Sequence, residues 1–250
     1  MENGIIIRTE HLTKRYADRA AVEDLNLEVR RGEIFGFLGP NGAGKTTTLL
    51  MLMGMTRPTS GTATVAGLDP VREARKIKRR IGYLPENVGF YGDLDAVENL
   101  TYVADLNGIP PSETRNRIPE LLELVGLKEE ARKKVGAFSR GMRQRLGFAE
   151  VLIKDPSVVL LDEPTLGLDP DGALRLMDLI HSLNRKQNMT VLISSHNLHQ
   201  VQKISNRVGI MLGGKMVAQG PIESLAREKF GIQEKEYSLE EIYMKYFREV

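Results

Sequence analysis

Gly39-Pro40-Asn41-Gly42-Ala43-Gly44-Lys45-Thr46 follows the pattern G-x-x-x-x-G-K-[ST], a loop that wraps a polyphosphate closely. Glycines are needed where a Cβ would collide with phosphate oxygens or forbid a positive φ. Successive backbone N–H groups then turn inward as an anion nest. Lys45 brings a mobile charge to the β- and γ-phosphates, and the Thr46 hydroxyl is placed to ligate Mg²⁺. On one side Ile34-Phe35-Gly36-Phe37-Leu38 reads as a buried strand. On the other, Thr47-Thr48-Leu49-Leu50-Met51-Leu52 opens a helix whose positive N-terminus favours phosphate. The expected ligand is therefore a nucleoside triphosphate with Mg²⁺. A dinucleotide G-x-G-x-x-G fingerprint fails, because Gly42 and Gly44 are followed by Thr47.

A phosphate loop needs partners, and the second half of the chain offers them. Val158-Val159-Leu160-Leu161-Asp162-Glu163-Pro164 is an apolar strand ending in two carboxylates. Such an ending is either a strand entering a polar turn or a metal ligand beside a general base. Adjacent side chains at a strand end point different ways, so Asp162 can hold Mg²⁺ while Glu163 orients or deprotonates water. Thr190-Val191-Leu192-Ile193-Ser194-Ser195-His196 is a second apolar strand, ending in an imidazole suited to contact a γ-phosphate. His196 and His199 show no zinc pattern, and His11, His181 and His199 are read as non-catalytic.

Ile5-Ile6-Ile7, Leu25-Asn26-Leu27-Glu28-Val29 and Thr62-Ala63-Thr64-Val65 read as strands. From Asp95 to Lys134 the period becomes helical, with Val97, Leu100 and Ala104 on one stripe. Ile118, Leu121, Leu122 and Val125 form another, closed by Gly126, and Pro119 is expected to kink or restart that helix. A β-rich start, a helical insertion and an alternating remainder predict an α/β fold with a helical subdomain. Ser238 and Glu241 form a capping box opening an amphipathic helix, with Leu239, Ile242, Tyr243, Tyr246 and Phe247 on its stripe. That helix serves either its own domain or a partner.

The 250 residues, 41% hydrophobic and 27% charged, fit a globular chain with one inserted subdomain. Zero cysteines exclude disulfides, thiolate metal sites and thiol catalysis. No apolar run approaches the ~18 residues of a membrane span, and Met1-Glu2-Asn3-Gly4 opens no signal peptide, so a soluble chain is expected. A net charge of +2 does not point to nucleic acid. The basic run from Arg72 to Arg80 is either a solvated helix face or a phosphate or lipid contact.

Phe138-Ser139-Arg140-Gly141-Met142-Arg143-Gln144-Arg145-Leu146 precedes a helix with Leu146, Ala149 and Ile153 on one face. By itself it is a capped helix whose start can present a hydroxyl and N–H groups to an anion. Between the phosphate loop and the acid-ended strand, it resembles the Leu-Ser-Gly-Gly-Gln signature of ABC-type ATPases. The resemblance spans nearly the whole chain. Tyr16, followed by Ala17 to Asp24, is similar to the loop that stacks on adenine. Tyr83-Leu84-Pro85-Glu86 resembles the Q-loop, Gly167-Leu168-Asp169 the D-loop, and Ser195-His196 the switch histidine.

The family resemblance implies a P-loop NTPase (RecA-like) core over residues 5–236, with an N-terminal antiparallel β lobe and a helical subdomain inserted at about 88–155. Residues 237–250 are left to the C-terminal helix. It implies ATP contacts from Tyr16 and from Gly39 through Thr47, with Mg²⁺ held by Thr46, Glu86 and Asp162. Glu163 and His196 would be catalytic. Ser139 and Gly141, with the D-loop residue Asp169, would act across an interface between two copies. By the same resemblance, two such subunits would sandwich two ATP molecules and drive a separate transmembrane permease on the inner face of the cell membrane. Glu86 stands where the family has Gln, and Arg140 and Met142 replace a Gly and the Gln of the signature. These departures resemble the branch serving ABC-2-type exporters, and Glu86-Asn87-Val88 with Phe90-Tyr91 is most similar to the copper-associated group involved in nitrous oxide reductase maturation. The competing expectation is a non-transport ABC ATPase acting on ribosomes or nucleic acid. Against it stand a single phosphate loop and the lack of heptads between Asp95 and Lys134. A third expectation, a regulator that binds nucleotide without hydrolysing it, is disfavoured by Glu163.

Overall fold

Alternation of apolar and polar residues decides the first layer. The computed structural model describes residues 4–231 and 237–248. It opens with strands β1 (Ile5–Tyr16) and β2 (Arg19–Arg30), an antiparallel hairpin in which Leu25, Leu27 and Val29 are buried and Asn26 and Glu28 exposed. Both strands run longer than the sequence predicts. Register shifts after Thr9 and Leu12 break the period-two pattern that would have revealed the far half of β1. Tyr16 consequently ends a strand, and the segment after it is a tight turn followed by β2, not a loop reaching Asp24.

β3 (Ile34–Leu38) leads through the phosphate loop to helix α1 (Lys45–Leu52), then β4 (Ser60–Val65), α2 (Ala74–Arg80) and β5 (Ile81–Leu84). The helical insertion is α3 (Ala96–Leu106), α4 (Pro111–Leu124) and α5 (Arg140–Leu152). The remainder alternates: β6 (Val158–Asp162), α6 (Pro170–Gln187), β7 (Thr190–Ser195), α7 (Leu198–Ile204), β8 (Arg207–Leu212), β9 (Lys215–Pro221), α8 (Ile222–Phe230) and α9 (Leu239–Arg248).

Two sheets result. One has the order β2-β1-β4 and is antiparallel; the other has the order β5-β6-β7-β3-β8-β9, parallel except for its edge strand β9. The parallel strands are buried on both faces, which is why they read as continuous apolar runs. Along β6 and β7, Val159, Leu161, Val191 and Ile193 join the core built with α3, α4 and α5, whereas Val158, Leu160 and Leu192 join the core containing α1. The sheet thus carries the helical insertion on one face and the phosphate-loop helix on the other.

Pro119 does not restart α4, which runs unbroken from Pro111 to Leu124. Ile118 before it and Leu121 and Leu122 after it are buried in one core, so packing supports the helix on both sides of the proline. α3 begins with a complete capping box, Asp95 accepting from the Glu98 N–H while Glu98 accepts from the Asp95 N–H.

α9 begins at its expected capping box, with Ser238 and Glu241 bonded reciprocally. Leu239, Ile242 and Tyr246 are buried against Leu198, Val201 and Leu225 of α7 and α8. Phe247, expected on the same stripe, is 49% exposed; the buried arc is narrower than the aromatic pattern predicts. Residues 249–250 lie outside the described residues. Ile242 is fully buried. Ile242→Ala is expected to lower unfolding free energy by about 2–5 kcal/mol, read from urea midpoints at constant m-value. A change under about 0.5 kcal/mol would mean that α9 contributes little to the fold.

Candidate functional site

In a parallel sheet the C-terminal ends of the strands share one edge, and ligands collect there. β3, β7 and β6 are consecutive neighbours, so the loop from Gly39 to Thr46, the pair Ser195-His196 and the pair Asp162-Glu163 emerge side by side. The loop and the acid pair border a cleft of 420 Å³ lined by Tyr16, Arg19, Ala21, Asn41 through Thr47, Glu86, Asp162 and Glu163. Ser195 and His196 do not line it, and His196 borders the neighbouring pocket with Glu163, Thr165 and Gln200. A larger cavity of 550 Å³ lies on the three-stranded sheet around Ile5, Arg8, Glu10 and Thr62. It gathers neither an anion nest nor a pair of acids, so the chemistry belongs to the smaller cleft.

The loop is shaped as its sequence requires. Gly44 has φ +103, and a Cβ there would strike the carbonyl oxygen of Ala21 and lie 2.8 Å from Met211 Cε. Gly44 is also the N-cap of α1 and provides no side-chain cap, so the first-turn N–H groups of that helix stay free for an anion. Thr46 and Thr47 line the cleft at the same helix start. Lys45 is 6% exposed, and its Nζ donates to the carbonyls of Gly39 (2.7 Å) and Pro40 (3.2 Å). Glu163 Oε1 stands 3.7 Å from the same Nζ, an ion-pair distance too long for a hydrogen bond. Burial pulls the Lys45 pKa down, and the charges of Glu163, Asp162 and Glu86 pull against that fall.

The two acids face different partners. Asp162 is 1% exposed; one oxygen accepts from the Ser194 hydroxyl and the other, Oδ2, is buried without a hydrogen-bond partner among the described residues. A buried carboxylate oxygen left unpaired is costly unless a cation meets it. With the Thr46 hydroxyl and the exposed Glu86 carboxylate on the same cleft, the donor set is all oxygen and suits Mg²⁺. Glu163 sits at φ +49, an uncommon conformation for a residue with a Cβ, which turns its side chain away from that of Asp162. Its Oε2 lies 2.9 Å from His196 Nδ1, so the acid is held between Lys45 and the imidazole. Tyr83 beneath the cleft has its phenol pKa pushed up to about 12 by burial, with the Asp162 and Glu86 charges adding to the rise.

Other expected residues lie elsewhere. Ser139 is the N-cap of α5, accepting from the Met142 N–H, and neither it nor Gly141 lines the cleft. Asp169 caps α6 by accepting from the Gly172 N–H at 2.5 Å. A side chain at Gly167 would meet Arg140 Nε at 2.7 Å, so the signature and D-loop segments touch within one chain. His11 pairs with Asp24 on the surface, and neither His181 nor His199 borders the cleft. Of the basic run, Lys76 pairs with Glu73 and only Ile77 of α2 is buried. Among the described residues no group of three acids, histidines or cysteines is gathered as a metal cluster, and no helix is long and apolar enough to cross a membrane. Sequence reading assigned the segment Ala17 to Asp24 to the base-stacking loop without singling out Arg19 and Ala21, which reach the cleft because β2 folds over the phosphate loop.

Residues 22–166 match the family described as ABC transporter. The chain is 46% identical to the bacitracin transport ATP-binding protein of Bacillus licheniformis, over 89% of this chain and 72% of that one. It is 38% identical to the Nod factor export ATP-binding protein I of Ralstonia nicotianae, over 90% and 70%, and 36% identical to the linearmycin resistance ATP-binding protein of Bacillus subtilis, over 86% and 69%. Among solved structures, an ATP binding subunit of an ABC transporter superposes with a TM-score of 0.87 at 28% identity, covering 97% of this chain and 99% of that one. A dimeric ATP-binding cassette in a post-hydrolysis state with ADP and Pi shares the fold, with a TM-score of 0.78 at 24% identity, over 86% of this chain and 98% of that one. The chain belongs to the ABC transporter family, in its class of ATP-binding, ATP-hydrolysing subunits.

Proposed function

We propose that this subunit is the motor of an exporter. Two copies close on two ATP·Mg²⁺ and reopen after hydrolysis, driving a separate permease from the cytoplasmic face of the membrane. The observation that carries the reading is the convergence of the β3 and β6 ends on one cleft, with a phosphate nest, a buried lysine and two differently partnered acids, and with the β7 end beside it through the contact of His196 with Glu163. In this reading the free N–H groups of α1, Lys45 and Thr47 hold the phosphates. Thr46, Asp162 and Glu86 hold the metal, Glu163 orients the attacking water, and His196 senses the γ-phosphate. Bound Mg²⁺ would supply charge neutralisation to the polyphosphate. Ser139 and Gly141 supply nothing to their own cleft, which supports their acting on the nucleotide of a second copy. The differential contact between open and closed states is then the γ-phosphate. The helical segment 88–155 and Glu86 form the side offered to the permease.

Export is favoured by the relatives named above, whose names concern bacitracin transport, linearmycin resistance and Nod factor export. They speak for the antibiotic-exporter side of the ABC-2 resemblance over the copper-associated group. Purification from native membranes with this subunit as bait is expected to bring down a multi-spanning protein, with ATPase activity that EDTA abolishes. Co-sedimentation with ribosomes or nucleic acid instead would overturn the transport reading.

The base contact has its own test. Tyr16 ends β1 at 51% exposure, beside Lys14 with its Nζ 4.9 Å from the ring centroid, and its ring borders the cleft. Stacking reads a π-face, so Tyr16→Ala is expected to weaken ATP and GTP alike, by about tenfold, while Tyr16→Phe stays within twofold. A Phe variant as weak as Ala would assign the contact to the hydroxyl.

A further inference from the structure

Ser194 closes an apolar strand with a hydroxyl that has no access to solvent. A buried hydroxyl is costly unless it is bonded, and here both of its capacities are used on the acid pair. Ser194 lies directly opposite Asp162 in the β6–β7 ladder, and its Oγ donates to Asp162 Oδ1. The same Oγ accepts from the Glu163 N–H at 3.3 Å, a proton shared with the Ser194 carbonyl at 3.1 Å. One side chain therefore holds the orientation of the Asp162 carboxylate and touches the backbone of Glu163 where it turns through φ +49.

The consequence concerns the other carboxylate oxygen. With Oδ1 tied to Ser194, Asp162 is left with Oδ2, which is buried and unpartnered among the described residues, on a side chain lining the cleft. By strand alternation Ser194 shares the face of Leu192, the face that carries α1 and the phosphate loop. We propose that Ser194 is the positioning residue of the metal site, fixing Asp162 so that its free oxygen meets the divalent cation of the nucleotide and holding the turn that presents Glu163. This rests on the reading of Asp162 as a metal ligand. Partners behind a ligand typically govern metal affinity by 10–100-fold, through orientation rather than contact.

The test separates metal from nucleotide. Binding of a β,γ-imido analogue of ATP is measured by calorimetry with Mg²⁺ and with EDTA, for the wild type and for Ser194→Ala, Ser194→Cys and Asp162→Asn. Ser194→Ala is expected to keep the EDTA affinity and to lose about tenfold of the gain conferred by Mg²⁺. The Mg²⁺ concentration for half-maximal ATPase activity should rise by a similar factor. Ser194→Cys, nearly the same shape with a weaker donor, should fall between them. A purely structural role would lower the melting temperature and leave the Mg²⁺-to-EDTA ratio intact. An unchanged ratio in Ser194→Ala alongside a lost one in Asp162→Asn overturns the proposal alone. An unchanged ratio in Asp162→Asn overturns the metal-ligand reading beneath it.

Discussion

Lys45→Ala is expected to weaken ATP binding at least a hundredfold, to the limit of calorimetric detection. The Nζ already sits at 6% exposure beside the phosphate nest, bonded to the Gly39 and Pro40 carbonyls and 3.7 Å from Glu163. Those carbonyl contacts are exchangeable for phosphate oxygens, and a charge-assisted bond to a desolvated phosphate is worth about 1.5–3 kcal/mol. The loss exceeds that contact. Without Lys45, the cleft presents the carboxylates of Glu86, Asp162 and Glu163 to a polyanion, with Arg19 the remaining cation among its lining residues. The N–H groups at the start of α1 do not depend on the side chain, so the loop should fold as before and the melting temperature should change little. Affinity near the wild-type value would remove the loop from the site.

The site was legible in the sequence to the extent that ligand chemistry is local. Gly39 to Thr46 must be contiguous to form a nest, and Asp162-Glu163 and Ser195-His196 must end strands, so short segments carried them. Neighbours contributed from afar were not legible. Arg19 and Ala21 border the cleft because β2 crosses the loop, with the Ala21 carbonyl against Gly44; the resemblance put their segment near the base, but nothing in Asp18-Arg19-Ala20-Ala21 itself singles out the two residues. Ser194 looks like any serine at a strand end until β6 is laid beside β7 and its hydroxyl meets Asp162.

The same division holds for the fold. Buried parallel strands such as Val158–Asp162 and Thr190–Ser195 announce themselves as apolar runs. Bulges hid the far half of β1, and tertiary packing overrode the helix-breaking tendency of Pro119. The Asp95–Glu98 capping box was readable from the local pattern and passed unnoticed. Phe247 fits the helical period of α9 and is nevertheless exposed, because the face supplied by α7 and α8 ends at Tyr246.

Glu163→Gln is expected to trap the closed pair. The substitution keeps the shape of the side chain and leaves Asp162 and its Ser194 bond untouched, while removing the carboxylate that handles the attacking water. ATP with Mg²⁺ should still bind and close two subunits, and turnover should fall by at least about 10²-fold, in line with loss of a general base. Gel filtration should then show a dimer with ATP and a monomer with ADP. Adding Ser139→Arg places a bulky side chain at the N-cap of α5, outside its own cleft. The double variant should lose the dimer, and its separated subunits should still bind ATP. A double variant that dimerises would refute contact between Ser139 and the other subunit's γ-phosphate. Loss of nucleotide binding together with the dimer would instead put Ser139 at its own site, against its absence from the lining of the cleft.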